Sequence, residues 1–197
     1  MFFFYYISIN FMVLFYYKEK VDDLIKTYLL GIDNKEIKEM IEYSLSGGKR
    51  LRSVICLYLF DQFGIRNDNI VLGIEFLHNA SLILDDLPCM DNDDYRRDKL
   101  SFHKKYGIRN AYILTNYLLS EFNNSISNLK CNKLINYVLD KVNLITVGQY
   151  YDLYPNITQN TSIENQIYNN NLKTVPFFVL SFVIPLYISE KILAWKQ

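Results

Sequence analysis

The chain has 197 residues, of which half are hydrophobic, and it contains only 7 glycines and 4 prolines. It carries 21 acidic and 21 basic residues with no strongly basic face or tail, which argues against a nucleic-acid-binding protein. The 3 cysteines are odd in number and widely spaced, which excludes a disulfide framework and a zinc-binding pattern and favours a reducing compartment.

The amino terminus is almost entirely apolar over residues 1–17. It lacks the basic region and the small-residue cleavage site of a secretory signal. At about 17 residues, interrupted by Asn10, it is at the short limit for a membrane span. A buried first helix, a membrane anchor or degenerate targeting segment, and an upstream extension all stay open. Membrane contact by this end, and location in the cytoplasm, a plastid or another organelle, therefore stay open too.

Few chain breakers and long apolar stretches predict an all-α domain of about seven or eight helices. The predicted helices cover residues 11–30, 34–45, 50–63, 70–84, 111–129, 134–149 and 171–193, the last broken by Pro176 and Pro185. The stretches 64–69, 96–107 and 155–162 are predicted to be loops. The helix over 70–84 is apolar nearly all round, which predicts that it is central and buried.

Directly after that helix, residues 85–97 read DDLPCMDNDDYRR, with five carboxylates followed by two guanidiniums. Clustered carboxylates suit hard cations such as Mg²⁺, whose other ligands are waters and substrate phosphates. Adjacent arginines can bind phosphate bidentately. The segment therefore predicts a metal–phosphate site, with a solvated surface loop as the alternative.

A second cluster, GGKRLR, occupies residues 47–52, between two predicted helices. Two glycines end the first helix, and three cationic residues follow at the start of the next helix. Backbone N–H groups at a helix start and nearby cations together form an anion site. A capping glycine followed by solvated cations is the alternative interpretation of this cluster.

The two clusters in this order resemble the trans-prenyltransferases of the polyprenyl synthetase family, which make farnesyl and geranylgeranyl diphosphates. The resemblance rests on GGKRLR, FLHNASLILDDLPCMDNDDYRR (76–97), KLSFHKKYG (99–107), Gly148-Gln149 with Asp152, and Lys173-Thr174. It implies a single-domain isoprenoid-synthase helical bundle around a central cavity, over residues 31–197 after an apolar segment 1–30. It also implies Mg²⁺-dependent condensation of isopentenyl diphosphate with an allylic diphosphate, in a homodimer or heteromer.

The resemblance assigns roles residue by residue. Asp85 and Asp91 match the metal-binding aspartates. The expected catalytic residues are Asp85, Asp91, Arg96 and Lys173. The positions that match isopentenyl diphosphate ligands are Lys49, Arg52, His78 and Arg97. The positions that match the allylic diphosphate site are Arg96, Gln149, Asp152, Lys173 and Thr174.

Ala80 and Ser81 precede Asp85 by five and four residues, where bulky side chains stop chain growth in the family. Both are small, so the resemblance implies a product longer than geranyl diphosphate, with geranylgeranyl favoured over farnesyl. A terpene cyclase shares an aspartate-rich motif. A cyclase is disfavoured because it needs no second substrate, whereas Lys49, Arg52 and Arg97 match residues that bind one.

The chain also departs from the family. Asp152 is its last aspartate, and only Glu164 and Glu190 follow, so the family's second aspartate-rich motif is absent and the predicted bundle is incomplete at its carboxyl end. Leu84 and Asn116 stand where the family commonly has histidine and aspartate. Three explanations stay open: a shortened synthase, a non-catalytic or regulatory subunit acting with a complete partner, and a degenerate protein with weak or no catalysis.

Overall fold

The computed structural model describes residues 2–154 and 163–194, and it confirms the all-α class. Eight helices and one small hairpin lie within these ranges. The helices are α1 (Phe2–Leu30), α2 (Lys35–Leu45), α3 (Leu51–Gln62), α4 (Asp68–Asp85), α5 (Phe102–Ser127), α6 (Asn132–Leu153), α7 (Ile163–Lys173) and α8 (Val175–Ala194). The hairpin pairs β1 (Tyr95–Arg96) antiparallel with β2 (Lys99–Leu100).

Helix α4 is the centre of the fold, as its apolar sequence predicts. Nearly every residue from Ile70 to Ile83 is buried, and α4 packs against α1, α3, α5 and α8. Asn67 begins the helix by accepting a hydrogen bond from the Ile70 backbone N–H. At the other end, Asp85 is the last helical residue. The buried helix therefore places the first aspartate of the acidic segment at the edge of the core.

Two predicted features differ from the structure. Residues 96–107 were expected to be loop, but they contain β2, and α5 begins at Phe102. Pro185 does not break the last helix, which continues through it to Ala194. Pro176 does mark a boundary, because it stands in the first turn of α8, where its missing N–H has no helical partner to lose. The predicted loop 155–162 lies outside the described residues.

Helix α1 begins at Phe2, earlier than the predicted start at residue 11. Its second half packs on the domain through Tyr17, Val21, Ile25 and Leu29, which are buried at helical spacing. Within residues 2–154 and 163–194, no single helix is long and apolar enough to cross a membrane. Helices α7 and α8 reach that length and composition only together, bent by 41°.

Candidate active site

A cavity of about 540 Å³ lies between α4, α6 and α8, and it gathers eight of the predicted site residues. Those eight are Arg52, His78, Ala80, Ser81, Asp85, Gln149, Lys173 and Thr174. Most of the remaining lining is apolar, including Leu77, Leu119, Val142, Ile145 and Phe177. An apolar chamber with a few convergent polar groups is the usual form of a small-molecule site.

One polar part of this cavity is formed by the ends of two helices. Lys173 ends α7, and its Nζ lies 2.6 Å from Asp152 Oδ2 and 3.8 Å from Asp85 Oδ2. Burial raises the pKa of Asp85 to about 6, although the charge of Lys173 opposes that rise. The pKa of Lys173 is itself raised, because its hydrogen bond to Asp152 and the charge of Asp85 outweigh its burial. Asp85 is thus a desolvated carboxylate whose ion-pair partner is Lys173, and the charge of Arg96 also favours its ionised form.

The loop after α4 folds back and places Asp91 next to Asp85. The Asp91 backbone N–H donates to the Asp85 carbonyl oxygen at 2.9 Å, and the charge of Asp91 further raises the pKa of Asp85. This pair fits Mg²⁺, which takes one or two carboxylates and completes its shell with waters and substrate phosphates. In residues 2–154 and 163–194, no group of three or more His, Cys, Asp or Glu side chains could hold a metal.

The other polar part is basic. Arg52, in the first turn of α3, has its Nη1 3.1 Å from His78 Nε2. Its guanidinium lies over Phe177 and Phe178, 5.1 and 4.7 Å from the ring centroids. Burial, reinforced by the charge of Arg52, lowers the pKa of His78 to about 3. His78 is therefore neutral at physiological pH and accepts the Arg52 hydrogen bond through Nε2.

Several buried polar atoms on this cavity have no hydrogen-bond partner within the described chain. They are Arg52 Nε, His78 Nδ1 and both amide atoms of Gln149. Because burying an unpaired polar group is costly, native proteins leave few of them, and each calls for a partner. All three side chains line the same cavity, so a polar ligand bound there would satisfy them together.

The sequence profile of the polyprenyl synthetase family matches residues 34–194. The chain belongs to the polyprenyl synthetase family. A farnesyl diphosphate synthase from Micrococcus luteus is 42% identical over 116 residues, which cover 57% of this chain and 39% of that protein. Another from Buchnera aphidicola is 34% identical over 175 residues, which cover 82% of this chain and 61% of that protein. The chain thus spans less than two thirds of these relatives.

The solved structures agree with the sequence comparison. A geranyltranstransferase from Thermotoga maritima superposes with a TM-score of 0.79 at 28% identity. The match covers 90% of this chain and 69% of that protein. The isoprenoid-synthase fold expected from the sequence is therefore confirmed for this family member.

Five predicted site residues do not line the cavity. They are Lys49, Asp91, Arg96, Arg97 and Asp152. Lys49 is exposed to solvent. Arg97 reaches the carboxyl end of α2, where its Nη1 lies 3.2 Å from the Ser46 carbonyl oxygen. Burial lowers the pKa of Arg97, which has no carboxylate ion-pair partner among the described residues. A half-buried cation without a carboxylate partner is suited to bind the anionic part of a ligand.

The second aspartate of the motif has a separate partner. Asp86 is only 1% exposed, and Arg96 Nε lies 2.7 and 2.8 Å from its two carboxylate oxygens. Arg96 Nη2 lies 2.5 Å from Oδ1 of the same carboxylate. This bidentate pair joins the end of α4 to β1. Asp85 therefore faces the cavity while Asp86 anchors the hairpin, and the allylic diphosphate role of Arg96 stays a prediction.

The neutral state of His78 predicts a pH-dependent stability. An unfolded chain protonates this histidine as the pH falls through about 6.5, whereas the folded chain resists protonation until about 3. The unfolded state thus binds more protons between these pH values, so the free energy of unfolding decreases as the pH falls. We expect His78→Gln to remove up to about 1 kcal/mol per pH unit from the slope of unfolding free energy between pH 6.5 and 4. Urea unfolding at several pH values measures this slope, and equal slopes in both proteins would contradict the prediction.

Proposed function

We propose that this protein is a Mg²⁺-dependent isoprenyl diphosphate synthase that joins isopentenyl diphosphate to an allylic diphosphate. The proposal rests on the arrangement of polar groups around the cavity. An apolar chamber holds the Asp85–Lys173 pair in one polar part and the Arg52–His78 pair in another. Two separate polar groups beside one apolar chamber fit two diphosphates with hydrocarbon tails. The similarity to two farnesyl diphosphate synthases supports the same reaction class.

The proposed roles follow from charge. Lys173, with the Thr174 and Gln149 side chains, binds the oxygens of the allylic diphosphate. Asp85 and Asp91 would hold Mg²⁺, which neutralises that diphosphate and makes it a better leaving group. Arg52 and the neutral His78 bind isopentenyl diphosphate, with Lys49 and Arg97 supplying further positive charge from the surface.

In this mechanism the protein positions the two substrates and supplies no nucleophile of its own. The allylic C–O bond breaks and its electron pair leaves with diphosphate. The double bond of isopentenyl diphosphate forms the new C–C bond, and loss of a proton restores an alkene. The apolar lining excludes water that would otherwise capture the allylic cation. Holding both substrates in one chamber supplies the effective concentration that the reaction needs.

An incorporation assay tests this function. Purified protein is incubated with Mg²⁺, labelled isopentenyl diphosphate and allylic diphosphates of increasing length. We expect a labelled, longer prenyl diphosphate that disappears when the divalent cation is chelated. No product with any primer would overturn a self-sufficient enzyme. Recovery of product above the partner's own level on mixing with a complete synthase would favour the alternative, a non-catalytic or regulatory subunit of a heteromer.

Ser81 provides a test of product length. It lines the cavity beside Ala80 and donates a hydrogen bond of 2.7 Å to the His78 carbonyl oxygen. A phenylalanine at this position fills space that a growing hydrocarbon tail needs. We expect Ser81→Phe to shorten the main product by at least one isoprene unit, as read by chromatography of the dephosphorylated alcohols.

Ser81→Ala is the matched control, because it removes the hydroxyl group without filling the cavity. Its product should match that of the natural protein. The same product length from Ser81→Phe would show that the tail does not pass this residue.

A further inference from the structure

A group of buried charges lies beside the basic part of the site. Arg50 is 7% exposed, and its Nη1 lies 2.9 Å from Glu75 Oε1 on α4. Its Nε lies 2.9 Å from Asp22 Oδ1 on α1. Glu75 is 1% exposed and also accepts a hydrogen bond of 2.8 Å from the Ser53 hydroxyl group. Arg50 thus joins three helices through two carboxylates.

The backbone at Arg50 is unusual. Its φ of 56° and ψ of 16° place it in the left-handed region, directly before α3. A residue with a Cβ holds this conformation only when its surroundings enforce it, and such residues cluster at functional sites. The neighbouring glycine makes the arrangement feasible, because a Cβ on Gly48 would lie 2.3 Å from Arg50 Nη1. The paired glycines of GGKRLR therefore also make room for the Arg50 guanidinium.

The conformation of residue 50 sets the direction of its neighbours. Lys49 precedes it and is exposed, whereas Arg52 follows it and lines the cavity beside His78. We propose that Arg50, Glu75 and Asp22 form a positioning network that holds these two cations toward isopentenyl diphosphate. Asp22 connects α1 to this network, although α1 lies outside residues 34–194, which the family profile matches. This inference rests on the proposed function for the identity of the ligand.

A purely structural role is the competing explanation. Buried ion pairs often add little to stability, because desolvation offsets their attraction. A structural role would change the amount of folded protein and leave the kinetic constants of the folded fraction alone. A positioning role would change the KM for one substrate. The kinetic constants for the two substrates therefore separate the explanations.

Asp22→Asn is the sharpest variant, because Asp22 is the outer member of the network and its loss leaves Arg50 paired with Glu75. Asp23→Asn is the matched control. Asp23 is next on α1, is 71% exposed, and pairs only with Lys26 among the described charges. Asp22 pairs with Lys18 as well as with Arg50. We expect Asp22→Asn to raise the KM for isopentenyl diphosphate about tenfold through its weakened hydrogen bond to Arg50. The kcat and the KM for the allylic substrate should stay near their natural values, and Asp22→Glu should restore the KM.

A binding measurement separates this inference from the proposed function. Inorganic pyrophosphate is titrated calorimetrically with divalent cations chelated, so that only the protein's own cations can hold it. We expect weaker binding to Asp22→Asn than to Asp23→Asn. Equal binding by both variants, or a loss of kcat with an unchanged KM, would overturn the positioning role. A natural protein that binds pyrophosphate but makes no product would overturn the proposed function alone, and one that makes product but binds no pyrophosphate under these conditions would overturn the positioning role alone.

Discussion

Asp85→Asn is expected to lower the rate of prenyl diphosphate formation by about a hundredfold to a thousandfold, the range seen when one group that stabilises transition-state charge is removed. Asparagine keeps the size of the side chain but removes the negative charge that would bind Mg²⁺. It also removes the anion that faces Lys173 at 3.8 Å. Because the Asp85 side chain makes no hydrogen bond to the described residues and its ion pair with Lys173 is long, the fold should survive this change. Steady-state rates at saturating substrates measure the effect, and circular dichroism checks the fold.

Asp94→Asn is the matched control for Asp85→Asn. Asp94 belongs to the same acidic segment, but its side chain is 56% exposed and pairs with Lys104 at 2.7 Å. An exposed ion pair of this kind contributes little, so activity and stability should stay close to those of the natural protein. Similar losses in both variants would mean that the acidic segment acts through its total charge. Full activity in Asp85→Asn would remove this residue from the site.

The position of Asp85 could be predicted because the sequence pattern around it is local, whereas its metal-binding role stays a prediction. An apolar helix that ends in aspartate places a carboxylate at the edge of the core, and the motif supplies the rest. The Arg50–Glu75–Asp22 network was not predictable in this way. Its members are 25 and 28 residues apart and lie on or beside three helices, and no periodicity specifies which buried charges will meet. The local signals were Arg50, as part of the GGKRLR cluster, and Glu75, as an acidic residue within a buried apolar helix.

Two elements of the fold were missed for physical reasons. Helix α7 is polar, contains Asn169-Asn170-Asn171, and has no fully buried residue, so it offers no apolar stripe for a periodicity argument. The hairpin has strands of two residues each, which are too short to show an alternating pattern. Tertiary contacts hold it instead, chiefly the Arg96–Asp86 pair. The sequence could indicate that residues 85–97 bind a ligand, but not that Asp85 and Asp86 face different partners.

Helices α6 and α7 approach so closely at Gly148 that their backbones nearly touch. A Cβ built on Gly148 would lie 2.4 Å from the Lys173 backbone nitrogen and 2.7 Å from the Leu172 carbonyl carbon. The glycine belongs to the Gly148-Gln149 pair of the sequence motif, and its lack of a side chain is what brings Lys173 beside Asp152 and Asp85. Helix α7 cannot avoid a new methyl group by rotating a side chain, because the atoms in contact are backbone.

Gly148→Ala is therefore expected to lower both stability and activity. Alanine would favour the helix by about 1 kcal/mol over glycine, but overpacking typically costs about 1–3 kcal/mol, and rigid backbone contact places this site at the upper end. The displacement of Lys173 should lower kcat about a hundredfold. Thermal unfolding and steady-state kinetics measure the two effects. Gly31→Ala is the control, because its Cβ would meet nothing closer than 3.5 Å. A Gly148→Ala protein with natural stability and kcat would show that α7 can shift without moving Lys173 from the site.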